Sequence, residues 1–73
     1  MRVITTSRVD GDFEGMDFDR VFALQNGQQW EQVMGRYRYV YRYMPYVEVL
    51  EEGGRFFLRV EGFDENIEVR QVG

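Results

Sequence analysis

The side chains best equipped for recognition chemistry crowd into one stretch. Residues 36–46, RYRYVYRYMPY, hold all five tyrosines and three of the nine arginines. Phenol rings can stack on bases or pack against a partner, and guanidinium groups can neutralise phosphates. The run therefore suggests either single-stranded nucleic-acid binding or a tyrosine-lined interaction surface. As an extended strand it puts Tyr37, Tyr39, Tyr41 and Tyr43 on one face and Arg36, Arg38, Val40, Arg42 and Met44 on the other. A binder of single strands needs rings and cations on the same surface, so this separation weakens the nucleic-acid reading. The tyrosine face then either covers one side of the core, with its hydroxyls at the rim, or forms a contact surface with Trp30 nearby. In the first case the arginines pair with acids of neighbouring strands; in the nucleic-acid alternative Arg36, Arg38 and Arg42 would contact the phosphates. Pro45 restricts the residue before it, so Met44 is expected to be extended and the strand to end there or lie at an edge.

A second stretch, DGDFEGMDFD at residues 10–19, concentrates carboxylates. Asp10, Asp12 and Glu14, followed by Gly15, copy the first half of an EF-hand loop and make a weak calcium candidate. The second half departs from the pattern: Val21 stands where the bidentate glutamate belongs, and no helical pattern flanks the segment. A solvated turn between strands is the expected outcome, with no metal and no cofactor.

The totals narrow the function classes. Histidine and cysteine are both absent, which removes the usual general base near neutral pH, thiol nucleophiles, disulfides and the commonest transition-metal ligands. An enzyme is not expected. The net charge of −4 opposes phosphate binding, so nucleic acid is an alternative partner rather than the first. The charge is uneven: residues 35–46 carry three arginines and no acid, while both flanking segments are acidic. No apolar run approaches the roughly 20 residues of a membrane helix. The chain is expected to be soluble, without a membrane partner, and cytoplasmic if Met1 is the native start.

The elements that must position these groups are strands. No stretch shows helical periodicity over more than two turns, whereas turn signals recur between short alternating runs. Strands are read at 2–9, 19–25, 28–34, 36–44, 46–51, 55–61 and 66–72, the third and fourth nearly continuous. A three-residue loop, Gln25-Asn26-Gly27, pairs Phe22 with Trp30 and Leu24 with Gln28, and places Gly27 at a positive-φ bulge. Val47, Val49, Phe56, Leu58, Val60, Ile67 and Val69 form the inner set, with Glu48, Arg59, Glu61, Glu68 and Arg70 outside. Gly53-Gly54 and Gly62-Phe63-Asp64 supply turns. These 73 residues form one domain (1–73), all-β, expected as a small SH3-like barrel of five to six antiparallel strands, with an OB-like barrel second. Twelve aromatic residues supply the bulk that so short a chain needs for a core.

The segments SRVDGDFEG, VFALQNGQQW and the tyrosine/arginine run closed by proline together resemble a family of small uncharacterised bacterial β-barrel proteins. Phe13, Gly15, Phe22, Leu24, Asn26, Gly27, Gln28, Trp30 and Pro45 fall on its F-x-G, F-x-L-x-NGQ-x-W and closing-proline motifs. Met16 and Phe18 depart from it, standing where the family favours an aromatic residue and glycine. The resemblance implies a compact β-fold and no particular activity. The expected function is a small non-catalytic binding or interaction module contacting an unknown protein or small ligand through Tyr37, Tyr39, Tyr41, Tyr43 and Trp30. A weak two-fold homodimer through Tyr39 and Tyr41 would add the buried area that the chain lacks.

Overall fold

The computed structural model describes residues 1–73. The chain forms eight strands and no helix: β1 (Arg2–Arg8), β2 (Asp12–Phe13), β3 (Val21–Ala23), β4 (Gln29–Met34), β5 (Arg42–Tyr43), β6 (Tyr46–Glu52), β7 (Arg55–Val60) and β8 (Asn66–Gln71). Six of them pair in one open sheet, in the order β1-β6-β7-β8-β4-β3, and β2 pairs with β5 in a separate two-stranded ribbon. Every strand pairing is antiparallel. An isolated bridge between Val9 and Leu24 brings the two edges of the large sheet together at one corner.

Alternation builds the sheet. Val47 and Val49 on β6, Leu58 and Val60 on β7, and Ile67 and Val69 on β8 all point inward and are buried. Burying each such side chain contributes about 1.5–3 kcal/mol before chain entropy is subtracted. The opposite face carries the charges. Arg59 of β7 pairs with Glu48 of β6, and Arg55 of β7 reaches Glu68 of β8 at 2.7 Å. Leu50 is buried outside the main core cluster, in one cross-strand row with Val3 and Phe57.

The hairpins follow their turn residues. β6 and β7 are joined by Gly53 and Gly54 at φ 59 and 83, the two positive angles that a tight hairpin turn requires. Between β3 and β4 the loop is Gln25-Asn26-Gly27: Phe22 faces Trp30, the Leu24 N–H donates to the Gln28 carbonyl at 2.9 Å, and Gly27 sits at φ 91. The pairing is the one that brings the two aromatic rings to the buried side.

The aromatic residues close the core. Phe13 stacks on Phe22 with centroids 5.9 Å apart and meets Phe63 edge-on at 5.5 Å, while Trp30 lies 5.4 Å from Phe56. Phe63 reaches the core from the turn after β7, and Phe13 and Met16 reach it from the acidic segment.

Three expectations are corrected. Residues 36–44 are not one strand. Gly35, at φ 128, turns the chain out of β4, and between there and β5 the only ladder contact is a bridge from Arg38 to Met16. The available neighbour is the irregular segment 12–16, too short for a continuous ladder. Residues 10–19 are correspondingly not a free turn, since they supply β2, that bridge and two core side chains. Met44 is not extended but sits at φ 49. Its N–H donates to the Gly11 carbonyl at 2.8 Å and its carbonyl accepts from Arg8 Nη1 at 3.0 Å. These contacts hold a conformation that a non-glycine residue reaches at a cost of about 1–2 kcal/mol.

Candidate functional site

The tyrosine/arginine run and the acidic segment, far apart in sequence character, are hydrogen-bonded to each other. Asp12 faces Tyr43 and Phe13 faces Arg42 in the ribbon. Met16 and Arg38 exchange N–H···O=C bonds of 2.8 and 2.9 Å. The approach is close because residue 15 is glycine. A Cβ built there would fall 2.0 Å from the Arg38 carbonyl oxygen and 2.8 Å from the Val40 nitrogen. Gly15 also has φ 92, so conformation and space both require glycine.

Gln32 of β4 fastens both segments to the large sheet. It is buried, and its Oε1 accepts from the Asp17 N–H at 2.9 Å. Its Nε2 donates to the Arg36 carbonyl at 3.4 Å. Sequence reasoning passed over Gln32, although a glutamine at an inward-facing strand position between Trp30 and Met34 is itself a signal for a buried polar brace.

Alternation survives along the run even though the strand does not. Val40 packs against the core and the Arg38 guanidinium lies 5.0 Å above the Phe63 ring. The tyrosines face outward: Tyr37, Tyr39, Tyr41 and Tyr43 are 61%, 57%, 50% and 68% exposed. They are surface and not core, because Phe13, Met16, Phe22 and Phe63 already fill the space beneath. Tyr46, at the start of β6, is 41% exposed. Trp30 cannot join them as a contact residue; it is 2% exposed, and its Nε1 donates to Gln28 Oε1 at 3.2 Å.

The arginines of the run are largely committed elsewhere. Arg36 and Arg38 both reach Glu65 at 2.8 Å, and Arg38 also bonds Asp64. Arg38 holds the carboxyls of Asp64 and Glu65 below their ordinary range. The Arg42 guanidinium lies over Gly62, on the ribbon face opposite Tyr43. Arg36 and Arg38 are therefore not free cations beside the rings; Arg8, opposite Tyr46 in the β1–β6 ladder, enters no ion pair.

Carboxylates do border the rings. The Tyr41 hydroxyl donates to Asp12 Oδ1 at 2.8 Å, and this bond raises the phenol above the ordinary tyrosine range. Beside Asp12 lies a depression of about 340 Å³ with Asp10, Glu14 and Arg20 at its wall and Phe13 and Phe22 beneath. Arg20 approaches Glu14 and Asp17 at 3.5 Å each. No group of three or more carboxylates is placed to hold a metal ion.

No protein-family model, curated protein or solved structure matches this chain, so the motif resemblance stands on its residues alone.

Proposed function

We propose that this protein is a non-catalytic binding module, SH3-like in shape with an OB-like barrel as the second reading, whose contact surface is the row Tyr37, Tyr39, Tyr41 and Tyr43. The observation that carries this is the exposure of four consecutive alternate rings, each at least half open to water, on a segment that is itself fastened down. Exposed aromatic clusters on a rigid support suit recognition, because few side-chain rotations are lost on contact. The fastening comes from Gly15, Gln32 and the ribbon pairing. The meeting of the sheet edges at Val9 and Leu24 supports a strongly bent, barrel-like shape. No helix is long and apolar enough to cross a membrane.

Single-stranded nucleic-acid binding is the alternative function. It gains from the exposed rings but loses from the pairing of Arg36 and Arg38 with Asp64 and Glu65. Selection of peptides from a displayed library, followed by titration against wild type and Tyr39→Ser/Tyr41→Ser, tests the first reading. Selected peptides should lose about tenfold or more in affinity with the double variant while its circular dichroism is unchanged. Peptides that bind the double variant equally well would place the contact surface elsewhere. A gel shift with single-stranded oligonucleotides that weakens steeply with salt would favour the alternative.

A further inference from the structure

Beyond the bridge from Val9 to Leu24 the two chain segments part and leave a depression between them. β3 is the last strand of the large sheet and β2 belongs to the ribbon, so their facing edges do not pair with each other. The depression holds about 340 Å³, within the roughly 300–1,000 Å³ of small-ligand sites. It is bounded at both ends. At one end the Asp10 N–H donates to the Ala23 carbonyl at 2.8 Å, and at the other Arg20 Nη1 meets Glu14 Oε1 at 3.5 Å. An extended peptide running along the strand edges would have to displace one of these contacts, whereas a small molecule entering by the mouth displaces neither. Phe13 and Phe22, stacked with centroids 5.9 Å apart, lie beneath, and Val21 and Ala23 line the β3 side.

The charged lining is Asp10, Asp12 and Glu14 against the single cation Arg20. Arg20 is engaged by Glu14 and also by Asp17, which is outside the lining. Asp12 gives Oδ1 to the Tyr41 hydroxyl, and no arginine pairs with it or with Asp10. Arg8 and Arg42, the arginines without a carboxylate partner, are not part of this lining; Arg8 bonds the Met44 carbonyl and Arg42 lies over Gly62. We propose that the depression binds a small organic cation, an ammonium or guanidinium on a short apolar body. Asp10 and the remaining oxygen of Asp12 meet the charge, and Val21 and Ala23 meet the body. A cleft dominated by one sign of charge over apolar walls concentrates the opposite charge, and carboxylates bond such cations with charge-assisted hydrogen bonds. An anion would find its one partner, Arg20, already held by two carboxylates. This site is separate from the tyrosine row, and neither reading depends on the other.

The test is a titration with phenethylammonium, phenethyl alcohol and phenylacetate, three probes of one shape and different charge, followed by amide chemical shifts. The cation should shift the amides of Asp10, Asp12, Val21 and Ala23 and bind about threefold or more tighter than the alcohol, as expected of a solvent-exposed ion pair. Asp10→Asn should remove about that advantage, while Glu52→Gln, which deletes a carboxylate at the far end of β6, should leave it intact. Ala23→Leu, which fills the depression, should abolish binding while the amide pattern of β6, β7 and β8 is kept; if that pattern is lost, Asp10→Asn decides. Equal binding of the alcohol, tighter binding of phenylacetate, or an equal loss with Glu52→Gln overturns the proposal. Shifts confined to residues 36–46 overturn it in favour of the tyrosines as the cation's site, and the absence of shifts with all three probes overturns it outright.

Discussion

The large sheet and the small ribbon solve the same problem with different means. In the sheet, β6, β7 and β8 carry six or seven residues each, and long ladders bury alternate side chains in an ordered set. A one-residue slip there would turn every valine and leucine outward, so the pattern itself enforces the register. The ribbon has two residues in each strand and one further bridge. Its register cannot come from a ladder. It comes from a glycine that lets two backbones touch, from an amide brace and from the few side chains that reach the core. The difference teaches that the sheet is held by many replaceable contacts and the ribbon by a few that are not.

That contrast is most exposed at two glycines. Both Gly15 and Gly27 have φ near 90, but only Gly15 has backbone where a Cβ would go. Gly15→Ala should therefore cost about 2–5 kcal/mol, combining the left-handed strain with forced separation of the ribbon from the run. Urea unfolding provides the measurement. An unchanged midpoint would mean that the ribbon is not packed as described, and the tyrosine row would lose its rigid support with it.

Removing the brace should come next. Gln32→Leu keeps the volume but leaves the Asp17 N–H and the Arg36 carbonyl without their partner, at a cost of about 1–3 kcal/mol. Amide exchange at Asp17 should accelerate while exchange in β6 and β7 follows only the global change. Uniform acceleration across both regions would show that ribbon and sheet open together.

The sheet's own turn should be more forgiving. A Cβ at Gly27 meets no atom within 4 Å, so Gly27→Val should cost chiefly the conformational penalty of about 1–2 kcal/mol. Finding Gly27→Val more damaging than Gly15→Ala would reverse the comparison.

The smallest effect expected is in acid. Asp64 and Glu65 at the run, and Glu51 and Glu68 on the sheet, all have pKa values lowered in the folded state: the first two by Arg38, Glu51 by the Gly54 N–H and then Arg2, and Glu68 by Arg55. A depressed carboxylate contributes stability that is fully present above its unfolded value of about 4 and is lost as pH falls through the folded value. Asp64 is exposed and the other three are half-buried but in contact with solvent, so the thermal midpoint should decline gently below about pH 4. Arg38→Gln should flatten part of that decline, and an unaltered profile would deny Arg38 its role beside the row. The Tyr41 phenol moves the other way, its folded value being raised. Its contribution is present below the unfolded value of about 10 and fades as pH climbs through the folded one. In an ultraviolet titration the Tyr41 phenol should ionise at lower pH in Asp12→Asn than in wild type.

How much of this was legible in the sequence differs between the regions for the same reason that their stabilities differ. Alternation is a local property, so the inward sets on β6, β7 and β8 and the Phe22–Trp30 register could be read from residue order alone. The all-β class follows from the same periodicity. The tyrosine/arginine alternation was equally visible, but alternation states only that two faces exist and not which one meets the core. That choice belonged to tertiary structure: Phe13 and Met16, from a segment that reads as a polar loop, and Phe63, from a turn, fill the interior before the tyrosines can. The partner of the run was also hidden, because Gly15 announces flexibility in the sequence and only the fold reveals that its missing Cβ admits the Arg38 carbonyl. Met44 marks the same limit. Proline predicts an extended neighbour, and hydrogen bonds to Gly11 and from Arg8, both distant in sequence, override it. Local chemistry determined which residues could pair and which could be buried; long-range backbone contacts decided that the acidic segment would carry the tyrosines on the surface.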